Sequence, residues 1–141
     1  CVDPDGAGPL ERGDGQFYEP SDVAVDAQGR IWVVDTVNWR VQVFDEAGHF
    51  LFKFGEHGPG PGKFEYPAGI GIDRAGNVYV AEASSSFQKF DPSGRYVTEI
   101  PMADYAYGVA VNRATGTIYT IYVSLWDRIS MFSSAQAFVI S

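Results

Sequence analysis

Pro20-Ser-Asp-Val-Ala-Val-Asp26, a turn at Gly29, and Arg30-Ile-Trp-Val-Val-Asp35 return 47 residues later as Pro67-Ala-Gly-Ile-Gly-Ile-Asp73, a turn at Gly76, and Asn77-Val-Tyr-Val-Ala-Glu82. Both copies share a lead-in, Gly15-Gln-Phe-Tyr-Glu-Pro20 and Gly62-Lys-Phe-Glu-Tyr-Pro67. Self-similarity at a period of this size marks a repeat architecture. Each unit supplies one supersecondary element, and neighbouring units supply the burial.

One period contains four short strands. In the first copy Asp22 to Val25 alternates in the strand manner, and Arg30 to Val34 is dense in β-branched and aromatic residues. The loop Asp35-Thr-Val-Asn-Trp39 leads to Arg40-Val-Gln-Val-Phe44, with Val41 and Val43 on one face and Arg40 and Gln42 on the other. Asp45-Glu-Ala-Gly48 is a turn whose glycine stands where positive φ is needed, and His49 to Phe54 closes the set. No segment carries a capped 3.6-residue period, so almost no helix is predicted.

The second copy keeps this order through Phe87 to Phe90, the turn Asp91-Pro-Ser-Gly94, and Arg95 to Ile100. The third is eroded: Gly108-Val-Ala-Val-Asn112, Gly116-Thr-Ile-Tyr119 and Arg128-Ile-Ser-Met-Phe132 keep the pattern, and Ala137 to Ile140 supplies a last strand. Val2-Asp-Pro-Asp-Gly6 matches Phe90-Asp-Pro-Ser-Gly94, so the reading opens on the tail of an earlier repeat. The expected divisions are 1–17 for that tail and its connection, 18–56 and 57–103 for two full units, and 104–141 for the degenerate one.

Composition limits the functions. Hydrophobic residues make up 45% of the 141, a folding composition. The net charge of −8, from 10 Lys+Arg against 18 Asp+Glu, repels phosphate backbones and disfavours general nucleic-acid binding. The single cysteine, Cys1, permits no intrachain disulfide and leaves the redox compartment open. It is read as the start of a fragment in preference to a lipid-bearing terminus. No apolar run approaches the ~20 residues that span a bilayer.

Pro20 to Gly48 as a whole resembles the NHL repeat, strongly in the first copy, well in the second and weakly in the third. NHL repeats are blades of β-propellers, usually six-bladed, each a four-stranded antiparallel sheet set radially around a channel. The resemblance therefore implies an all-β partial propeller with about three of six blades. Three blades are fewer than the smallest closed rings of about four. Further blades in the same polypeptide, or a second chain, are expected to complete the ring.

Propeller topology places Asp35–Trp39, Gly55–Gly62 and Glu82–Ser86 on one face. The candidate binding residues there are Asp35, Asn38, Trp39, His57, Glu82, Tyr107, Tyr122 and Trp126. Rigid aromatics mixed with short polar groups suit recognition. The competing reading makes the aromatics wedges between blades, with Asp35 and Asn38 holding the loop backbone and Arg40 bracing a neighbour. His49 and His57 are the only histidines and neither stands at metal-ligand spacing from a second ligand. No catalytic residues, metal site or cofactor are read.

Among NHL-like enzymes, the zinc-dependent peptidyl-hydroxyglycine amidating lyase uses a histidine after the repeat's proline. The matching positions here are Ser21, Ala68 and Tyr107. Propeller lactonases hold Ca²⁺ with polar residues at inner strand starts, where only Asp22 qualifies. RNA-binding NHL domains use a basic face, and here only Arg40, Lys63 and Arg128 lie near the expected one. The resemblance therefore favours a scaffold that binds a protein or small ligand. A propeller enzyme whose site lies on other blades comes second, and an RNA-binding domain third. The compartment stays open, with an extracytoplasmic place favoured.

Overall fold

The computed structural model describes residues 13–83, 86–102, 105–123, 128–132 and 137–140, with the backbone alone from residue 122 onward. It consists of three four-stranded antiparallel sheets. The first holds β1 (Pro20–Val25), β2 (Ile31–Asp35), β3 (Arg40–Phe44) and β4 (Phe50–Phe54). The second holds β5 (Pro67–Ile72), β6 (Val78–Glu82), β7 (Ser86–Phe90) and β8 (Tyr96–Pro101). The third holds β9 (Tyr105–Val111), β10 (Ile118–Val123), β11 (Arg128–Phe132) and β12 (Ala137–Ile140). Each sheet keeps its strands in chain order, the arrangement of a propeller blade.

Strand limits differ from the sequence reading where side chains intervene. β1 begins at Pro20, two residues early, with a register shift before Asp22. A proline is tolerated at a strand's first residue, where no ladder N–H is needed. β4 begins at Phe50 because the His49 amide donates to Asp45 Oδ1 at 2.8 Å, which keeps His49 in the turn. The loop after β2 contains a single 3-10 turn, Thr36–Asn38.

The core lies between sheets. Trp32, Val34, Val41 and Val43 of the first blade pack on Ile70, Ile72, Val78, Val80 and Phe90 of the second, with Phe64 from the connection between them. Each such side chain gains about 1.5–3 kcal/mol from burial. Phe52 and Phe54 set their rings 5.6 and 6.1 Å from Trp32, and Phe54 reaches Phe90 at 4.7 Å. A second cluster, Tyr79, Ala81, Phe87, Ala106, Val109 and Ile118, joins blades two and three.

Innermost strands approach one another directly. Ser21 Oγ donates to the Ala68 carbonyl at 2.8 Å, and the Ile70 amide donates to Asp22 Oδ2 at 2.9 Å. Asp22 thus spends one carboxylate oxygen on the joint between blades. β9 lies so close to β5 that a Cβ on Gly69 would stand 2.8 Å from the Tyr107 carbonyl oxygen and 2.9 Å from the Gly108 Cα. Arg113, in the turn after β9, donates from Nη2 to the Val25 carbonyl, tying blade three to blade one.

The turns that close the first hairpins repeat a polar device. Asp26 Oδ1 accepts the amides of Gln28 and Arg30, while Oδ2 accepts Arg30 Nε at 2.6 Å and the Trp32 indole N–H at 3.0 Å. Asp73 likewise accepts Asn77 and the Tyr79 hydroxyl. Burial alone would raise the Asp26 carboxyl, but the Trp32 N–H and the Arg30 amide and guanidinium together hold it below the ordinary 3.8. Burial, then the neighbouring Asp73, pushes the Tyr79 hydroxyl up to about 12.

Gly69→Ala is expected to destabilise the chain by about 1–3 kcal/mol, since the obstructing atoms are backbone. Ala110→Ser on the exposed face of β9 should stay within about 0.5 kcal/mol, as measured by denaturant unfolding. Asp26→Asn should cost about 1–3 kcal/mol at pH 7 by loss of the charged acceptor. A lowered carboxyl stabilises fully above its unfolded value and loses that contribution as pH falls through the folded one. The gap between wild type and variant should therefore narrow as pH drops below 3.8.

Candidate functional site

The loop face of blade one is built around a buried carboxylate. Asp35 ends β2 fully buried, and Oδ1 accepts the Tyr18 amide at 2.8 Å. Oδ2 accepts Arg40 Nε at 2.6 Å, Asn38 Nδ2 at 3.0 Å and Gln42 Nε2 at 3.2 Å. Arg40 Nη2 continues to the carbonyls of Gly13 and Gln16, and Gln42 exchanges bonds with Gln16 and Gly15. These bonds clamp the incoming segment 13–18 against the sheet. A buried carboxylate of this kind is tolerable because it is both ion-paired and saturated with donors.

The clamp fixes the loop that follows. Trp39 lies in the left-handed region at φ 52°, its amide donating to the Thr36 carbonyl at 3.0 Å. A bulky residue with positive φ is a genuine outlier. Its ring meets His57 at 4.5 Å between centroids, tilted by 51°. Gly55 makes this approach feasible, since a Cβ there would stand 2.8 Å from the Trp39 carbonyl oxygen and 2.5 Å from the Phe64 ring. A concavity of about 660 Å³ opens beside the pair, lined by Arg40, Lys53, Glu56 and the two rings among others. Lys53 pairs with Asp14 at 2.6 Å, and Lys63 with Glu56 at 3.1 Å.

Blade two repeats the clamp with different chemistry. Glu82 replaces Asp35 and accepts the Glu65 amide at 2.9 Å and Gln88 Nε2 at 2.7 Å. Gln88 also donates to the Lys63 carbonyl and accepts the Gly62 amide, as Gln42 does in blade one. Burial pushes the Glu82 carboxyl up, against the opposing pull of its N–H donors, and nearby Glu99 adds to the rise.

Of the candidate residues, Asp35 and Asn38 stand together in the clamp, and Trp39 and His57 touch beside the concavity. Glu82 lies on a separate small cavity formed with Gly58 and Gly60 of the connection. Tyr107 is 47% exposed on β9. Tyr122 lies on β10, described there by its backbone, and Trp126 lies outside the described residues. Gln42 and Gln88 were not singled out by sequence, although both are buried and hold the incoming segments. Their signal is the same residue type at matching places in successive repeats. Among the described residues, no three of His, Cys, Asp or Glu gather to hold a metal ion.

Residues 13–128 match the DUF5128 family, described as 6-bladed beta-propeller. Protein brain tumor of Drosophila melanogaster is 46% identical over 76 residues, which are 53% of this chain and 7% of that protein. NHL repeat-containing protein 3 of Homo sapiens is 35% identical over 80 residues, 54% of this chain and 23% of that protein. The chain thus spans under a quarter of either relative's length. The solved structure of Kuenenia stuttgartiensis hydrazine synthase superposes with a TM-score of 0.71 at 14% identity, covering 96% of this chain and 37% of that one. That likeness is one of fold. Three antiparallel blades, the twice-written clamp and the match over residues 13–128 lead to one assignment: the chain belongs to the 6-bladed β-propeller family and is built from NHL repeats.

Proposed function

We propose that these blades form part of a six-bladed scaffold whose loop face binds a protein or small ligand. The observation that carries this reading is Trp39, held at positive φ with its ring on His57 beside an open concavity. Left-handed backbone at a bulky residue costs of order 1–3 kcal/mol, and such strain concentrates at binding and switch sites. A half-buried tryptophan on a braced loop presents a rigid anchor at little cost in conformational entropy.

Further blades, in the same polypeptide or from a second chain, belong to the proposal. The outer face of β1 leaves Val23 and Val25 57% and 51% exposed, and at the other end Ile121 on β10 is 62% exposed. A propeller covers such faces with the next blade. An enzymatic role would rest on residues contributed by those blades. The net charge of −8 favours a protein or small ligand over RNA.

A photo-crosslinking residue at position 39 should capture a specific partner in the producing cell, while one at Val97 on the exposed edge strand β8 should not. Equal capture from both sites would refute the loop-face assignment. Trp39→Asn should abolish capture by a crosslinker at position 57 yet leave stability within about 1 kcal/mol, because asparagine tolerates the left-handed conformation and offsets the lost packing. Salt-sensitive binding of a U-rich oligonucleotide would instead favour the RNA reading.

A further inference from the structure

Blades one and two differ at two neighbouring cross-strand pairs of the clamp. In blade one Asp35 stands opposite Arg40 across β2 and β3, and the ion pair closes at 2.6 Å. At the same rung of blade two Glu82 stands opposite Ser86. The carboxylate remains, 3% exposed, and the guanidinium has gone. The neighbouring pair changes sign in the same sense: Gln42 faces Lys53 in blade one, whereas Gln88 faces Glu99 in blade two.

The carbonyls that receive Arg40 persist as well. Arg40 Nη2 donates to Gly13 and Gln16, whose counterparts are Gly60 and Lys63. The two segments have the same geometry: Gln16 N donates to Gly13 O at 3.1 Å and Lys63 N to Gly60 O at 3.1 Å. Each then receives its glutamine, at 2.6 Å in both blades. In blade two these groups surround a cavity of about 120 Å³, lined by Gly60, Lys63, Glu82, Ser86, Gln88 and Glu99 among others. Lys63 turns its ammonium to Glu56 on the rim, 3.1 Å away. Among the described residues no cation forms an ion pair with Glu82 or Glu99.

We propose that this cavity is a guanidinium site, in which an arginine side chain of a partner or a free alkylguanidine donates to the Glu82 carboxylate and to the carbonyls of Gly60 and Lys63. Blade one supplies the template, since the same acceptors there hold a guanidinium of the chain itself. A planar fork of N–H donors, weakly hydrated, matches this divided set of acceptors better than a compact ammonium does. Burial without a cation raises the Glu82 carboxyl, and a bound guanidinium would lower it again. The site stands independently of what the loop face of blade one binds.

The test is a titration of the ¹⁵N-labelled intact chain with methylguanidinium chloride at constant ionic strength, followed by amide chemical shifts. The Gly62 and Glu65 amides, which donate to Gln88 and Glu82, should shift saturably. Their blade-one counterparts, the Gly15 and Tyr18 amides, should stay still. Methylammonium should bind about fivefold or more weakly. Glu82→Gln should weaken methylguanidinium about tenfold or more while leaving the Gly15 and Tyr18 signals in place. Ser86→Arg should fill the cavity from within, abolish the response and raise the thermal midpoint.

A Gly-Arg-Gly peptide separates the two sources: tighter binding than methylguanidinium assigns the site to a partner's arginine, and weaker binding assigns it to a free guanidine. Equal shifts in both blades, absence of saturation, or unchanged affinity in either variant would overturn the proposal. So would Glu82-dependent binding of Ca²⁺ in place of methylguanidinium.

Discussion

A four-stranded sheet of strands four to seven residues long has two faces and no interior of its own. Everything else in this chain answers that constraint. Trp32, Val34, Val41 and Val43 are core residues only because Ile70, Val78 and Val80 of the next blade stand against them. Stability therefore accrues at joints between units, as in other repeat proteins. The polar groups follow the same economy: Asp22, Ser21 and Arg113 each make a hydrogen bond to another blade.

The second organising element is the buried carboxylate at the end of the second strand in blades one and two. Asp35 gathers Tyr18, Asn38, Arg40 and Gln42 into one network, so the segment entering the blade and the loop leaving β2 are fixed together. Loop geometry is thus inherited from the ladder, and Trp39 is held in place by groups several residues away. Blade two preserves the carboxylate and the glutamine but changes the cation opposite. Repetition conserves the frame while two neighbouring rungs alter its chemistry.

Much of this was legible in sequence. The recurrence of Pro20 at Pro67, with a glycine at each turn, marked the unit and its four strands. NHL-like residues then placed the strands in a propeller, and that architecture is the one observed. What escaped depends on contacts between distant segments. Gln42 alternates onto the face away from the valines, and only the fold brings segment 13–18 over it. Nothing in its residue type marks Trp39 for positive φ; the conformation sits beside the Asp35 network, in room that Gly55 leaves for it. Glu82 takes the place of Asp35 in the second copy, but the loss that matters, Arg40 to Ser86, emerges only once the register pairs them.

The two joints between blades differ in mechanical character. Blade one meets blade two through interlocked rings and branched side chains, which can shift rotamers and slide over one another within a small range. Blade two meets blade three through a smaller cluster around Phe87 and Ile118, and there Gly69 brings β5 directly against the backbone of β9, which has no rotamer to change. A ring assembled from such units bends unevenly. Strain imposed by a ligand at the loop face of blade one would be taken up more readily at the first joint, where side chains can move, than where β5 lies against the backbone of β9.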